Sequence, residues 1–142
     1  MFSTEAEILL VNEDDSLRQE IAANLGVKSD KVIAVESGRE AIRVLQAVAV
    51  KLIVMDIAIG EFDGWRLARL IRSGIYRCEN QTPIILVSKS WCERLTRVTA
   101  REFGINYLLC QDNLDQLPQL VESSLYGPLT GLLSPRLLVI ED

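Results

Sequence analysis

Leu52-Ile53-Val54-Met55-Asp56 is a run of four apolar residues that ends on a carboxylate. Ile8-Leu9-Leu10-Val11, followed by Asn12, Glu13, Asp14 and Asp15, has the same form. So has Ile84-Ile85-Leu86-Val87, followed by Ser88 and Lys89. A strand with one wet face alternates apolar and polar residues, whereas a strand covered on both faces is apolar throughout. The three runs are therefore read as interior strands of a parallel sheet. Weaker strands are expected at 31–35 and 106–110.

Between the strands the apolar period changes to that of a helix. Leu17, Ile21 and Leu25 fall on one helical face, and Gly26 then supplies a stop. Ala41, Ile42, Leu45 and Val48 repeat the pattern, as do Leu67, Leu70 and Ile71, and then Leu95, Val98 and Phe103. Leu114, Leu117, Leu120, Val121 and Leu125 make a fifth helix. Alternating strands and helices of this kind give an α/β fold, a doubly wound parallel sheet with helices on both faces.

The composition narrows the function classes. The chain has 142 residues, 49% of them hydrophobic, which is enough for one domain with a real core. A net charge of −5 argues against general nucleic-acid or anionic-membrane binding. Arg66, Arg69, Arg72 and Arg77 form the densest basic cluster and are read as a solvated face. There is no His, which removes a Ser–His pair, a His-ligated metal and a phosphoryl-carrying His together. Cys78, Cys92 and Cys110 lack C-x-x-C spacing and are expected to be free thiols. The N-terminus has acids where a secretory signal has bases, and Lys51 interrupts the longest apolar run. A cytoplasmic protein without a membrane span is expected.

In doubly wound sheets ligands sit beyond the carboxyl ends of the strands. The residues placed there are Asn12 to Asp15 after the first strand, Asp56 after the third, Ser88 and Lys89 after the fourth, and Cys110 and Gln111 after the fifth. Acids, a hydroxyl and no His suit a hard cation and a phosphoryl group. Other roles are open to each residue. Asp56 could close a turn, although a carboxylate directly after a buried strand is costly without a purpose. Ser88 could cap the segment at Trp91, and Tyr107 could be ordinary core. Glu13, Asp14 and Asp15 could favour the first helix through its dipole, with Asp15 best placed as the cap.

The stretch Val54-Met55-Asp56-Ile57-Ala58-Ile59-Gly60-Glu61-Phe62-Asp63-Gly64-Trp65 resembles the aspartate loop of bacterial response regulator receiver domains. In that family Asp-Gly follows the phosphate-accepting Asp by seven and eight residues. Ile8 to Val11 with its acids, Pro83 to Ser88, and Gly104 before Tyr107-Leu108 extend the likeness over residues 7–125. The resemblance implies a flavodoxin-like, five-stranded sheet of order 2-1-3-4-5. It implies that Asp56 accepts phosphate from a histidine kinase or phosphotransfer protein. Glu13, Asp56 and the Ala58 carbonyl would hold Mg2+, with Asn12 contributing through water. Ser88 would bond the phosphoryl group and Tyr107 would be the switch aromatic. Two carboxylates and a carbonyl leave Mg2+ room for waters and phosphate oxygens. A homodimer is compatible with the resemblance.

Three features depart from the family pattern. Asn12-Glu13 stands where two acids are usual, Cys110-Gln111 stands in place of Lys-Pro, and the loop before Tyr107 is one residue short. Losing one acid and one cation leaves the formal charge of the pocket unchanged. The missing ammonium, however, would donate directly to phosphoryl oxygens, and a thiol brings no positive charge. The resemblance thus implies a phosphorelay receiver controlling a partner or attached output domain, with a pseudo-receiver acting as a phosphorylation-independent interaction module as the alternative. No base, oxyanion loop or substrate pocket can be named for a hydrolase, so the chain is read as not an enzyme.

Beyond Leu125, Gly127, Pro128, Gly131 and Pro135 punctuate the chain. The receiver domain is placed at 5–125, with 126–142 a linker or the start of a following domain that contributes little to the core. Gly127-Pro128-Leu129-Thr130-Gly131-Leu132-Leu133 is similar to the opening of diguanylate cyclase (GGDEF) domains, which would make a GGDEF-like output domain. Leu137-Leu138-Val139-Ile140-Glu141-Asp142 instead echoes Leu9 to Asp14 and would begin a second receiver.

Overall fold

The structure, a computed structural model, describes residues 5–88, 94–127 and 138–140, with the side chains of 94–97 and 138–140 left aside. Lys89, Trp91, Cys92 and the 128–137 stretch, on which several sequence expectations rest, lie outside the described residues.

Five strands, β1 (Ile8–Val11), β2 (Val32–Val35), β3 (Leu52–Met55), β4 (Ile84–Ser88) and β5 (Tyr107–Cys110), alternate with five helices. The helices are α1 (Asp15–Ala23), α2 (Gly38–Ala47), α3 (Gly64–Arg72), α4 (Arg94–Glu102) and α5 (Leu117–Tyr126). All strand pairs in this sheet are parallel and the order is 2-1-3-4-5, as expected. One addition was not expected. A sixth strand, β6 (Leu138–Ile140), lies parallel to β5 at the sheet edge, with Tyr107 opposite Leu138 and Leu109 opposite Ile140. Part of the tail, Leu138–Ile140, therefore pairs with the edge of the sheet.

Continuous apolar strands are explained by two cores, one on each face. Leu9, Val11, Ile53, Met55, Ile84, Leu86 and Leu108 point to the side covered by α2 and α3. Ile8, Leu10, Leu52, Val54, Ile85, Val87 and Leu109 point to the side covered by α1 and α5. Neighbouring residues on a strand face opposite ways, so each strand supplies both layers.

Boundaries move by a few residues, each for a local reason. Lys31 closes a 3-10 turn (Ser29–Lys31) before β2. Leu114 sits in a 3-10 segment (Gln111–Gln116), and α5 starts at Leu117 with Pro118 in its first turn, where a missing N–H costs nothing. Asp14, not Asp15, caps α1, its carboxylate accepting from Leu17 N at 3.0 Å. On α4, Val98 is 44% exposed and Ala100 supplies the buried contact instead. Gly26 adopts φ +74, the left-handed conformation its stop role requires.

Arg72 is not part of a solvated face. Its Nε and Nη2 donate to Gly104 O (3.2 and 2.6 Å), and Nη2 also to Asn106 Oδ1 (3.0 Å). Nη1 donates to Asn80 O (2.8 Å) and Thr82 O (2.7 Å). One guanidinium thus joins the end of α3 to the loops entering β4 and β5. Burial lowers its pKa to about 10, with the nearby Cys78 thiol acting in the opposite direction, so it stays charged at neutral pH. Lys has three donors on a point charge and cannot span these acceptors. Arg72→Lys is expected to cost about 1–3 kcal/mol in urea unfolding, the scale of lost hydrogen bonds to a charged group. An unchanged midpoint would show the network to be dispensable.

Gly64 fixes the loop after β3. A two-residue hairpin, Ala58–Ile59 against Phe62–Asp63, folds the chain back so that Gly64 N donates to Ile57 O at 2.7 Å. A Cβ at Gly64 would lie 2.5 Å from the Asp56 carbonyl oxygen and 3.2 Å from Ile57 Cα. Backbone cannot give way as a side-chain tip can. Gly64→Ala is therefore expected to destabilise by about 1–3 kcal/mol, as overpacking does, and to shift the amide resonances of Asp56 and Ile57. Wild-type stability with unshifted resonances would contradict this.

Candidate functional site

A parallel sheet covered on both faces has room for polar groups only at its rim, and here the carboxyl ends of β1, β3, β4 and β5 supply them. Asn12 follows β1 and is almost wholly buried. Its Oδ1 accepts from Asp14 N at 2.9 Å, and its carbonyl accepts from Arg18 Nη1 at 2.8 Å. Arg18 also pairs with Asp15, one turn back on α1. The start of α1 is thereby tied to the residue that leads out of β1.

Asp56 follows β3 and is 9% exposed. Its backbone N donates to Val11 O (3.3 Å), and its Oδ1 accepts from Ile57 N (2.7 Å). Ser88 ends β4, Cys110 ends β5, and the two are opposite each other in register, both buried. The Cys110 Sγ lies 3.8 Å from Asp112 Oδ2. The sheet order therefore brings Asn12, Asp56, Ser88 and Cys110 to the same edge on four adjacent strands.

Glu13 is exposed, and its Oε2 accepts from Gly60 N at 3.2 Å, bridging the loop after β1 to the hairpin after β3. In the hairpin, the Ile57–Gly64 bond and the tight turn at Gly60 alternate with the Ala58–Asp63 pair. That alternation leaves the Ala58 carbonyl outside the ladder. Glu13, Asp56 and Ala58 are thus an oxygen-only donor set from two adjoining loops. Among the described residues no three acidic or sulfur side chains gather into a cage of their own. Two carboxylates and a carbonyl fit Mg2+, which keeps several waters, better than a cation that strips its shell.

Tyr107 stands at the opposite end of β5 from Cys110, half-buried against the α1/α5 core. Arg66 and Arg69 are exposed, their guanidinium carbons each 5.1 Å from a ring centroid, over Phe62 and Phe103 respectively. Sequence reasoning missed the Glu13–Gly60 bridge, the Arg18 brace on Asn12 and the close approach at Gly64. Only the last had a sequence signal, a glycine where a helix begins immediately after an Asp cap.

Comparison with known proteins gives the arrangement a family. A family model described as the response regulator receiver domain matches residues 8–122. The regulatory protein VirG of Agrobacterium tumefaciens (strain 15955) is 31% identical over 97 residues, covering 68% of this chain and 34% of VirG. The regulatory protein AtoC of Escherichia coli (strain K12) is 27% identical over 119 residues, covering 83% of this chain and 25% of AtoC. The chain thus spans about a third or less of these relatives. In fold it is similar to the receiver domain of the Francisella response regulator 1452, with a TM-score of 0.72 at 19% identity, covering 84% of this chain and 95% of that one. By the family match over most of its length, this chain belongs to the response regulator receiver domains.

Proposed function

We propose that this receiver takes a phosphoryl group on Asp56 from the phospho-His of a histidine kinase or phosphotransfer protein, and so controls an attached output domain or a partner. The observation that carries the reading is a buried carboxylate directly after β3, with a buried hydroxyl on the neighbouring strand end. Asp56 uses Oδ1 to accept from Ile57 N, a bond that orients the carboxylate at the strand end.

Each neighbour has a task in that reading. The Ser88 hydroxyl donates to a phosphoryl oxygen. Glu13, Asp56 and the Ala58 carbonyl would hold Mg2+, with Asn12 reaching it through water. The cation would offset negative charge gathering on the transferring group. Cys110 stands where a cation would otherwise contact the phosphoryl group, and Tyr107 begins the same strand. No helix among the described residues is long and apolar enough to cross a membrane. The chain is proposed to receive the group rather than to act as an enzyme on other substrates.

Incubation with acetyl phosphate and Mg2+, followed by intact mass, tests the assignment. Wild type should gain one phosphoryl group and Asp56→Asn none. Undiminished labelling of Asp56→Asn would overturn the site. Folded wild type that never labels would favour the phosphorylation-independent interaction module.

Cys110→Lys tests the departure at β5. An ammonium there should strengthen binding of beryllofluoride with Mg2+ by about tenfold or more, since a charge-assisted hydrogen bond contributes about 1.5–3 kcal/mol. Equal affinity of variant and wild type would mean that another group already supplies the cation.

A further inference from the structure

The outer face of α3 has a charge arrangement that stability alone does not account for. Leu67, Ala68 and Ile71 are buried on the inner side of the helix, and Arg66 and Arg69 are exposed neighbours on the outer side. Arg66 stands in the first turn, where the positive end of the helix dipole disfavours a cation. Like charges three residues apart also repel each other. α3 contains no Asp or Glu to offset them. Among the described residues the ion pairs are Arg18–Asp15, Arg39–Glu61 and Lys51–Glu7, so neither arginine has a carboxylate partner there.

Aromatic rings hold the two side chains instead. The Arg66 guanidinium carbon lies 5.1 Å from the Phe62 ring centroid, and that of Arg69 lies 5.1 Å from the Phe103 centroid. The rings are themselves fixed. Phe62 packs against the start of α2, where a Cβ at Gly38 would come within 2.8 Å of the ring. Phe103 stacks on Trp65 with centroids 5.8 Å apart and an interplanar angle of 27°. All three rings are only half-buried. A cation–π contact draws on the charge of a guanidinium and leaves its N–H donors for another acceptor.

We propose that the Trp65, Arg66 and Arg69 face of α3 is a docking surface for an acidic protein segment. Two of its carboxylates pair with Arg66 and Arg69, and an apolar side chain covers Trp65. Tryptophan and arginine are the side chains that most often dominate protein–protein binding energies. Arginines already ordered over rings also lose less freedom on binding. Charge decides the class of partner. The chain carries −5 overall, and the exposed Glu61, Asp63 and Glu102 flank Phe62 and Phe103 in sequence. An extended polyanion or an anionic bilayer would meet those acids, whereas a short segment ends before them. The proposal does not rest on phosphate uptake by Asp56.

The probe is a synthetic peptide, Asp-Glu-Leu-Phe-Asp-Glu, titrated into the isotopically labelled 142-residue chain and followed by NMR. The Trp65 indole N–H and the Arg66 and Arg69 Nε–H signals should shift together, and added salt should weaken binding. Arg66→Ala combined with Arg69→Ala should lower the affinity at least about tenfold, since charge-assisted hydrogen bonds are lost. Arg43→Ala, at an exposed arginine of α2, should leave it unchanged. Arg66→Glu combined with Arg69→Glu should lose the acidic peptide and bind Lys-Lys-Leu-Phe-Lys-Lys instead, a gain that a misfolded variant would not show. Unmoved signals in wild type, or equal affinity of the double alanine variant, would overturn the proposal. So would an oligonucleotide or anionic vesicles moving these signals where the peptide does not, or self-association of the chain that Arg66→Glu abolishes.

Discussion

A strand covered on both faces by helices can carry polar side chains only at its ends, and the layout of this molecule follows from that constraint. β1, β3 and β4 are wholly buried along their lengths, each contributing alternate residues to two cores. Polar chemistry is thereby pushed to the rim. The order 2-1-3-4-5 sets Asn12, Asp56, Ser88 and Cys110 side by side there. A buried carboxylate at such a position is expensive unless it is paired or put to use. Asp56 accepts from the next backbone N–H, which meets part of that demand.

The rim is held largely by hydrogen bonds to backbone groups. Gly64 passes close enough to the Asp56 carbonyl to exclude any Cβ, and its N–H closes the loop on Ile57. Glu13 links that loop to the end of β1, while Arg18 and Asp14 fix the start of α1. At the opposite rim Arg72 gathers three separate carbonyl groups and the Asn106 amide. The sheet is thus braced at both ends.

Much of this was legible in the sequence because periodicity is a direct readout of burial. The apolar runs of β1, β3 and β4 could not be half-exposed strands, and the acids and hydroxyl after them could sit nowhere but the rim. What stayed hidden depends on position in space. Arg72 reads as one of several arginines at helical spacing, and only the loops packed beneath α3 turn it inward. Asp15 reads as the better cap, but α1 begins at Asp15 itself, and that places Asp14 at the cap. Val98 fits the apolar period of α4, but the helix presents Ala100 to the core instead. The apolar run at 137–140 echoes β1, but its pairing with β5 is made by backbone groups, which every residue carries, so the sequence does not say which strand it joins.

In the proposed function the rim formed by β1, β3 and β4 is a phosphoryl and cation site centred on Asp56. A crystal structure of the wild-type chain grown with beryllofluoride and Mg2+ is the test. Beryllium should be bonded to an Asp56 carboxylate oxygen, with the Ser88 hydroxyl on a fluoride. The metal should be bound to Glu13, Asp56 and the Ala58 carbonyl. Saturating mimic and metal that leave Asp56 bare and Glu13 without metal would contradict this reading.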